Sequence, residues 1–353
     1  MTEPAMKQVC VFGGSNSIKE GIWTTGLSEL LPPNFTFLNG SVGAVSGIMA
    51  YCRLAAMDQL KRRDVVLWEY ALNDQNYVDK LGHYPELLLR FCEHTIRLCR
   101  SRGLRFIPLI FAGRNATERG EMTPYRRDLR QLFDHYSIQY LDVSEELPKI
   151  LDRKRVPDYV YQDKSHYKED AFVGRFIAKR ALKLIRSGAG WVAAADRCRG
   201  EDVTSVQLIS RFDSGESEDF SNSRVTVNCF VPTDTGEPVS VRIEQGPFRL
   251  VGVLMLSTAQ GGAFRVKAGN RCFAISATYG EVRYTKPLLK FFSLTDDLVA
   301  GVTYPAGTDI ALTWEDGSMP LTTDYSFVAK LTEQQLHGRE SAVVGLVLEQ
   351  LTG

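Results

Sequence analysis

From the start of the chain to about residue 187, short apolar runs alternate with segments of helical spacing. Runs rich in Val, Ile, Leu and Phe at residues 8–12, 35–38, 65–70, 104–111 and 138–141 predict strands. Between them, Ile22, Gly26, Leu27, Leu30 and Leu31 share one helical face, which Pro32-Pro33 ends. Leu87, Leu88, Phe91, Cys92, Thr95, Ile96 and Cys99 line a second helix, with Pro85 in its first turn. Phe172, Val173, Phe176, Ile177, Ala181 and Leu184 predict a third, whose end carries Lys179, Arg180 and Lys183 to suit the dipole. Such alternation predicts right-handed crossovers and an α/β fold of three layers, a doubly wound parallel sheet between helices. Ligand sites in such sheets collect at the carboxyl ends of the strands.

After Ser187-Gly188-Ala189-Gly190 the pattern changes. Residues 225–231, 239–244, 248–256, 264–267, 272–277, 310–314, 325–331 and 342–348 read as short strands. Turn signals such as Thr235-Gly236, Gly261-Gly262 and Asp316-Gly317 separate them. This predicts an all-β sandwich or jelly roll, and hence two domains, residues 1–190 and 191–353. A chain of 353 residues exceeds what one average core encloses, in keeping with that division.

Composition narrows the function by exclusion. Lys plus Arg and Asp plus Glu number 42 each, so no global field draws the chain to nucleic acid or to anionic membrane. The N-terminus lacks the pattern of a secretory signal, and no segment approaches the roughly 20 apolar residues that span a bilayer. A soluble, cytoplasmic protein is expected. Its seven cysteines are scattered without a CxxC pair, and most sit in apolar runs, which predicts reduced packing residues.

Candidate chemistry begins with the stretch GGSNSIKEGIW, Gly13 to Trp23, directly after the first strand. It suits a phosphate-cradling turn, an ordinary tight turn, or a turn that holds Ser15 out as a nucleophile. Neither GxGxxG nor GxxxxGK[ST] is present, and Lys19 is wrongly spaced for a phosphate-binding lysine, so the first is disfavoured. A serine nucleophile needs a base, a group orienting that base and donors aimed at the oxyanion. Of five histidines, His94 and His135 read as helix-surface residues, His83 as a loop residue, and His337 lies in the β half. His166 alone stands in a constellation, Asp163-Lys164-Ser165-His166, where the carboxylate can fold back to the imidazole; the plainer reading is a helix cap. Asn73, just beyond the third strand, is either an oxyanion donor or a turn residue. Asn39-Gly40-Ser41-Val42-Gly43-Ala44, after the second strand, is a loop of small residues with accessible N–H groups. A metal site from Asp163, His166, Glu69 and Asp74 is a weaker alternative, since one imidazole with loose carboxylates is a poor donor set. Glu69 and Tyr70 read as structural or pocket-wall residues. The basic runs Lys61-Arg62-Arg63, Arg126-Arg127 and Arg153-Lys154-Arg155 read as solvated surface, the last also suiting an anionic substrate.

Taken in order, FGGSNS around Ser15, NGSVGA around Gly43, YALND around Asn73 and DKSH ending in His166 resemble the four blocks of the SGNH hydrolase superfamily, the GDSL-like lipases and acylhydrolases. The resemblance covers about residues 7 to 187 and implies a flavodoxin-like fold carrying a serine esterase. It implies that Ser15 attacks an acyl carbonyl, His166 relays the proton and Asp163 orients His166. The N–H of Ser15, the N–H of Gly43 or Ala44, and the Asn73 amide would form the oxyanion hole. The family usually has Asp before the serine, where this chain has Gly14, and a glycine where it has Ala71.

Such an enzyme needs no cofactor or metal. The expected substrate is an acylated small molecule or a carbohydrate ester, with acetyl removal or O-acetyl transfer on a polysaccharide as the favoured classes. A catalytically silent carbohydrate-binding or assembly protein is the remaining alternative. The β half resembles a carbohydrate-binding module, with Tyr279, Phe291, Phe292 and Trp314 as candidate stacking surfaces, though such aromatics are more often core. An oligomerisation role for it stays open.

Overall fold

Five parallel strands form, four over the predicted apolar runs and the fifth only at the end of its run, sharing Leu141 with it: β1 (Lys7–Gly13), β2 (Phe35–Asn39), β3 (Val65–Glu69), β4 (Arg105–Ile110) and β5 (Leu141–Asp142), in the spatial order β2-β1-β3-β4-β5. They belong to a computed structural model that describes residues 6–18, 22–151, 159–169, 171–200, 202–221, 226–233, 236–278, 287–294, 297–298, 300–322 and 337–352. Two compact units are present, one comprising Met1–Lys80 and Pro85–Arg199, the other Leu81–Tyr84 and Gly200–Gly353. The expected strand at 325–331, with Lys19, residues 153–155 and Tyr279, lies outside the described residues.

Among the described residues, the helices of the first unit include α1 (Trp23–Leu30), α2 (Ile48–Ala55), α3 (Ala71–Leu81), α4 (Pro85–Ser101), α5 (Arg114–Arg119), α6 (Pro124–His135), α7 (Val143–Glu146) and α8 (Ala171–Arg186). Because strand side chains alternate, each strand feeds two cores. On one face Val9, Val11, Val65, Leu67, Ile107 and Leu109 pack against Trp23, Leu27, Val173, Ile177 and Ala181 of α1 and α8. On the other, the ring of Trp68 meets Phe106 and Phe133 at centroid distances of 6.5 and 6.2 Å. Phe172 departs from the predicted α8 face and is 46% exposed, since the helix turns its next residue, Val173, into the core. Beyond α8, Gly190 O accepts from Phe106 N, Ala193 N donates to Tyr136 O and Cys198 N donates to Glu93 Oε1. These bonds carry the first unit on to Arg199.

The strand order reverses beside β1: the chain passes from β1 to β2 on one side and continues through β3, β4 and β5 on the other. The loops that leave β1 and β3 therefore diverge and open a crevice at the carboxyl edge.

The second unit is antiparallel. A six-stranded sheet joins β6 (Val203–Ile209), β7 (Glu216–Ser221), β8 (Thr226–Val231), β10 (Phe248–Ser257), β13 (Leu288–Ser293) and β15 (Ala342–Leu351). A four-stranded sheet joins β9 (Val239–Ile243), β11 (Ala263–Ala268), β12 (Arg271–Ser276) and β14 (Thr308–Trp314). Phe248, Val253, Met255, Val343 and Leu346 of the first sheet share a core with Ile243, Phe264, Val266, Ile275 and Leu312 of the second, as in a sandwich. Strands β6, β7 and β13 are absent from the expected set. Strand β7, ESEDFS, is almost wholly exposed and carries no apolar alternation, while β13 buries Lys290 among apolar residues.

No helix among the described residues is long and apolar enough to cross a membrane. All seven cysteines are free; Cys10, Cys52, Cys92, Cys99 and Cys229 are buried, and Cys198 and Cys272 are exposed.

Candidate active site

The glycine-rich stretch ends β1 in a tight turn. Residues Ser15–Ser17 form a single 3-10 turn, closed by Ser17 N donating to Gly14 O and Ile18 N to Ser15 O. The turn is braced from the neighbouring strand: Gly14 N donates to Glu69 Oε2 at 3.2 Å and Ser17 Oγ donates to it at 2.6 Å. With no carboxylate at position 14, a carboxyl group from the end of β3 supports the turn instead. A Cβ at Gly14 would lie 2.2 Å from Asn73 Oδ1, so any larger residue there displaces the Asn73 carboxamide.

The Ser15 Oγ lies 2.8 Å from His166 Nε2, across 151 residues of chain. His166 sits in a narrow hairpin, with Gln162 N donating to His166 O and Lys168 N to Val160 O. Asp163 folds back as an Asx turn, its Oδ1 accepting from the N–H groups of Ser165 and His166, each at 2.8 Å. That turn aims Oδ2 at His166 Nδ1, 2.8 Å away. The hairpin is fastened to the end of β4 by Tyr161 Oη donating to Ala112 O at 2.7 Å and Arg114 N donating to Lys164 O at 3.0 Å.

Asn73 lies in the first turn of α3, which starts two residues after β3 ends, rather than in a loop. Its Nδ2 donates to Val45 O at 2.8 Å, which orients the amide and leaves its second N–H for another acceptor. The loop after β2 comes to the same place. A Cβ on Gly43 would lie 3.7 Å from both Cα and Cβ of Ser15, so Gly43 rests directly against the candidate nucleophile. Ala44, its neighbour, takes a left-handed φ of 55° and its carbonyl accepts from Tyr77 Oη at 2.9 Å. Tyr70 Oη donates to Val42 O and accepts from Val42 N, so two tyrosines and Asn73 hold this loop in place. Ser15, His166, Asp163, Gly43 and Asn73 are all brought together at one edge of the sheet.

Electrostatics separates the carboxyl groups. Partial burial would raise the Asp163 carboxyl, but the N–H groups of Ser165 and His166 and the His166 ring outweigh it and hold it below its ordinary value. It stays ionised, as the partner of an imidazolium must. Burial pushes Glu69 up to about 8, against the hydrogen bonds from Ser17 and Gly14, and Asp74 adds to the rise. Burial likewise pushes Asp74 up to about 7, although Gly47 N and Tyr125 Oη donate to it. Glu69 and Asp74 thus serve the framework, and among the described residues no three His, Cys, Asp or Glu side chains are grouped to hold a metal ion.

The two raised carboxyls make stability fall with pH. The folded chain keeps protons on Glu69 and Asp74 that the unfolded chain, with ordinary carboxyls, has already released. Their contribution is complete at acid pH below the ordinary carboxylate range and is lost as pH rises through about 7 for Asp74 and about 8 for Glu69. Denaturant melts between pH 5 and 9 are expected to show this decline, and Glu69→Gln, which cannot ionise, to flatten it. A decline of equal slope in both proteins would contradict the assignment.

Several expectations are corrected. His94 is not on the surface: it is 4% exposed, its ring packed edge-on against Phe91 and Tyr51, and Arg197 reaches its Nδ1. The helical spacing that sets it apart from Phe91 does not reveal that residues near 197 cover that face. His83 lies in a loop, as expected, and is buried there. His135 is exposed, with Nε2 on Asp196 O. In the second unit, Phe291 and Phe292 are buried, as the core reading of these aromatics expects, and Trp314 is partly buried, its ring stacked on Phe264 at 4.7 Å. Sequence reasoning passed over Asn16, whose side chain meets the backbone on both sides of His166; adjacency to Ser15 was its one signal.

No family model matches the chain, and no curated protein matches it in sequence. Among solved structures, a two-domain esterase named CEX, active on acetylated mannans, superposes with a TM-score of 0.63 and 10% identity over 99% of this chain and 92% of that one. The same esterase co-crystallised with mannopentaose gives 0.64 and 9% over the same shares. The parallel sheet, the diverging loops at its edge and this likeness agree on the fold: an α/β unit with a parallel sheet, followed in the chain by an antiparallel β unit, as in that two-domain esterase.

Proposed function

We propose that the chain is a serine esterase that removes acetyl groups from a carbohydrate. The observation that carries this reading is the unbroken relay from Ser15 Oγ to His166 Nε2 and from His166 Nδ1 to Asp163 Oδ2, each step 2.8 Å. In the first half-reaction Ser15 Oγ attacks the ester carbonyl while its proton passes to His166 Nε2. The negative charge develops on the carbonyl oxygen, toward the Asn73 amide and the N–H groups of Ser15 and Gly43. The tetrahedral adduct then collapses, the alcohol oxygen leaves with the proton from His166, and an acetyl-serine remains. Water repeats the sequence in reverse roles and releases acetate.

Carbohydrate as the alcohol is supported by two points. The CEX esterase, which shares the two-unit fold, acts on acetylated mannans. The relay also opens to solvent, with the side chains of His166 and Asp163 33% and 52% exposed, so an ester projecting from a bulky chain need not thread a deep tunnel.

The test is turnover of p-nitrophenyl acetate and of O-acetylated mannan, with and without an unacetylated oligosaccharide, together with labelling by a fluorophosphonate. Acetate release from both esters and stoichiometric labelling at Ser15 are expected. Acetyl gain by the oligosaccharide at the expense of acetate would move the reading to an O-acetyltransferase with the same triad. Absence of labelling in the folded protein would replace both with a binding or assembly role.

A further inference from the structure

We infer that Asn16 is a positioning residue that holds the base against the nucleophile, an inference that rests on the triad reading above. Asn16 follows Ser15 in the same 3-10 turn and is 7% exposed. Its Nδ2 donates to Ser165 O at 2.9 Å, and its Oδ1 accepts from Tyr167 N at 2.9 Å. One side chain therefore grips the backbone immediately before and immediately after His166. Only a carboxamide in this orientation satisfies both partners, since one end must donate and the other accept. Aspartate lacks the donor and leucine lacks both.

The grip has a fixed base. Asn16 O accepts from Trp23 Nε1 at 3.0 Å, and Trp23 is 1% exposed in the core beneath α1. Ser15 cannot move without carrying Asn16, and Asn16 cannot move without pulling the His166 backbone. On its other side, His166 is held by the Asp163 carboxylate, which takes its N–H and its Nδ1. Asp163 thus fixes the ring within its own hairpin, while Asn16 fixes that hairpin relative to the serine. The Ser15 Oγ contact also joins the turn to residue 166, but through the ring. A reactive contact that must break and form in each cycle is a poor structural tie.

The test is Asn16→Ala, compared with wild type, Ser15→Ala, His166→Ala and the Asn16→Ala/His166→Ala pair. Displacement of a catalytic group by about 1 Å costs on the order of 100-fold, and that loss is expected in kcat with KM nearly unchanged. Fluorophosphonate labelling should slow in parallel. Because Asn16 acts through His166, adding Asn16→Ala to His166→Ala should cost nothing further. The imidazole 15N signals of His166, assigned by their loss in His166→Ala, should shift in Asn16→Ala, and this readout does not depend on turnover. If Asn16→Ala does not fold, Asn16→Asp keeps the acceptor for Tyr167, loses the donor to Ser165, and is held to the same outcomes.

Full activity in the Asn16 variant while Ser15→Ala and His166→Ala are dead would overturn this inference and leave the esterase reading standing. So would an undiminished loss in the His166→Ala background, which marks a general structural effect. Unshifted His166 signals overturn it whatever the turnover. Activity that survives Ser15→Ala instead overturns the esterase reading, and the ring signals then still report whether the grip exists.

Discussion

Replacing Ser15 by alanine removes ester turnover almost entirely, by about a million-fold in kcat, the scale seen when the nucleophile of a serine triad is deleted. The Ser15 Oγ has His166 Nε2 as its hydrogen-bond partner, so its loss leaves no buried group stranded and should change stability by no more than about 1 kcal/mol. Acetate release and fluorophosphonate labelling should vanish together while the thermal midpoint stays near that of wild type. His166→Ala should cost nearly as much, and the double variant hardly more, because the two residues act as one unit. A Ser15→Ala protein that turns over p-nitrophenyl acetate at the wild-type rate would end the triad proposal.

Gly14→Ala should be at least as damaging as Asn73→Ala, even though it adds a single methyl outside the relay. Deleting one oxyanion donor costs about 3 to 4 kcal/mol, or 100- to 1,000-fold in kcat, and Asn73→Ala is expected in that range. A Cβ at position 14 would lie 2.2 Å from Oδ1, 2.7 Å from Cγ and 2.8 Å from Nδ2 of Asn73, so the whole carboxamide must leave its place. Leaving it means breaking the bond to Val45 O that orients the donor. The added methyl therefore does what deletion of the amide does, and Gly14→Asp does so with a larger side chain. The decisive comparison is the pair Gly14→Ala/Asn73→Ala, in which the obstacle has nothing left to displace. It should be no slower than Asn73→Ala alone. Gly14→Ala with wild-type kcat would show that the amide is not the oxyanion donor or that it finds an equivalent position.

The layered half was legible because its signals are periodic. Residues such as Val9, Val11, Val65 and Leu67 mark a buried strand whatever their partners are, and four of the five parallel strands arise over such runs, the fifth at the end of one. In the β half the same logic missed Glu216–Ser221, an exposed strand with no apolar face to announce it. The candidate triad was legible for a different reason. Five histidines left one with a carboxylate three residues earlier, and the Asx turn that joins Asp163 to His166 is a local structure.

What lay beyond the sequence is non-local. The brace from Glu69 to the serine turn crosses 55 residues, and the grip of Asn16 on Tyr167 crosses 151. His94 gave no sign of burial, because the segment near residue 197 that covers it lies 103 residues away.

By itself, then, the amino-acid sequence determined the alternation of strands and helices, the change to antiparallel β structure, and the choice of Ser15, His166 and Asp163 as candidates. Each is encoded by neighbours in the chain, through side-chain period, turn chemistry or spacing. The tertiary structure alone decided that a side chain at position 14 meets the Asn73 carboxamide, that Glu69 supports the turn from another strand, and that Asn16 ties the serine turn to the backbone beside His166. Steric exclusion and hydrogen-bond distance act between atoms brought together by folding, and distance along the chain carries no record of them.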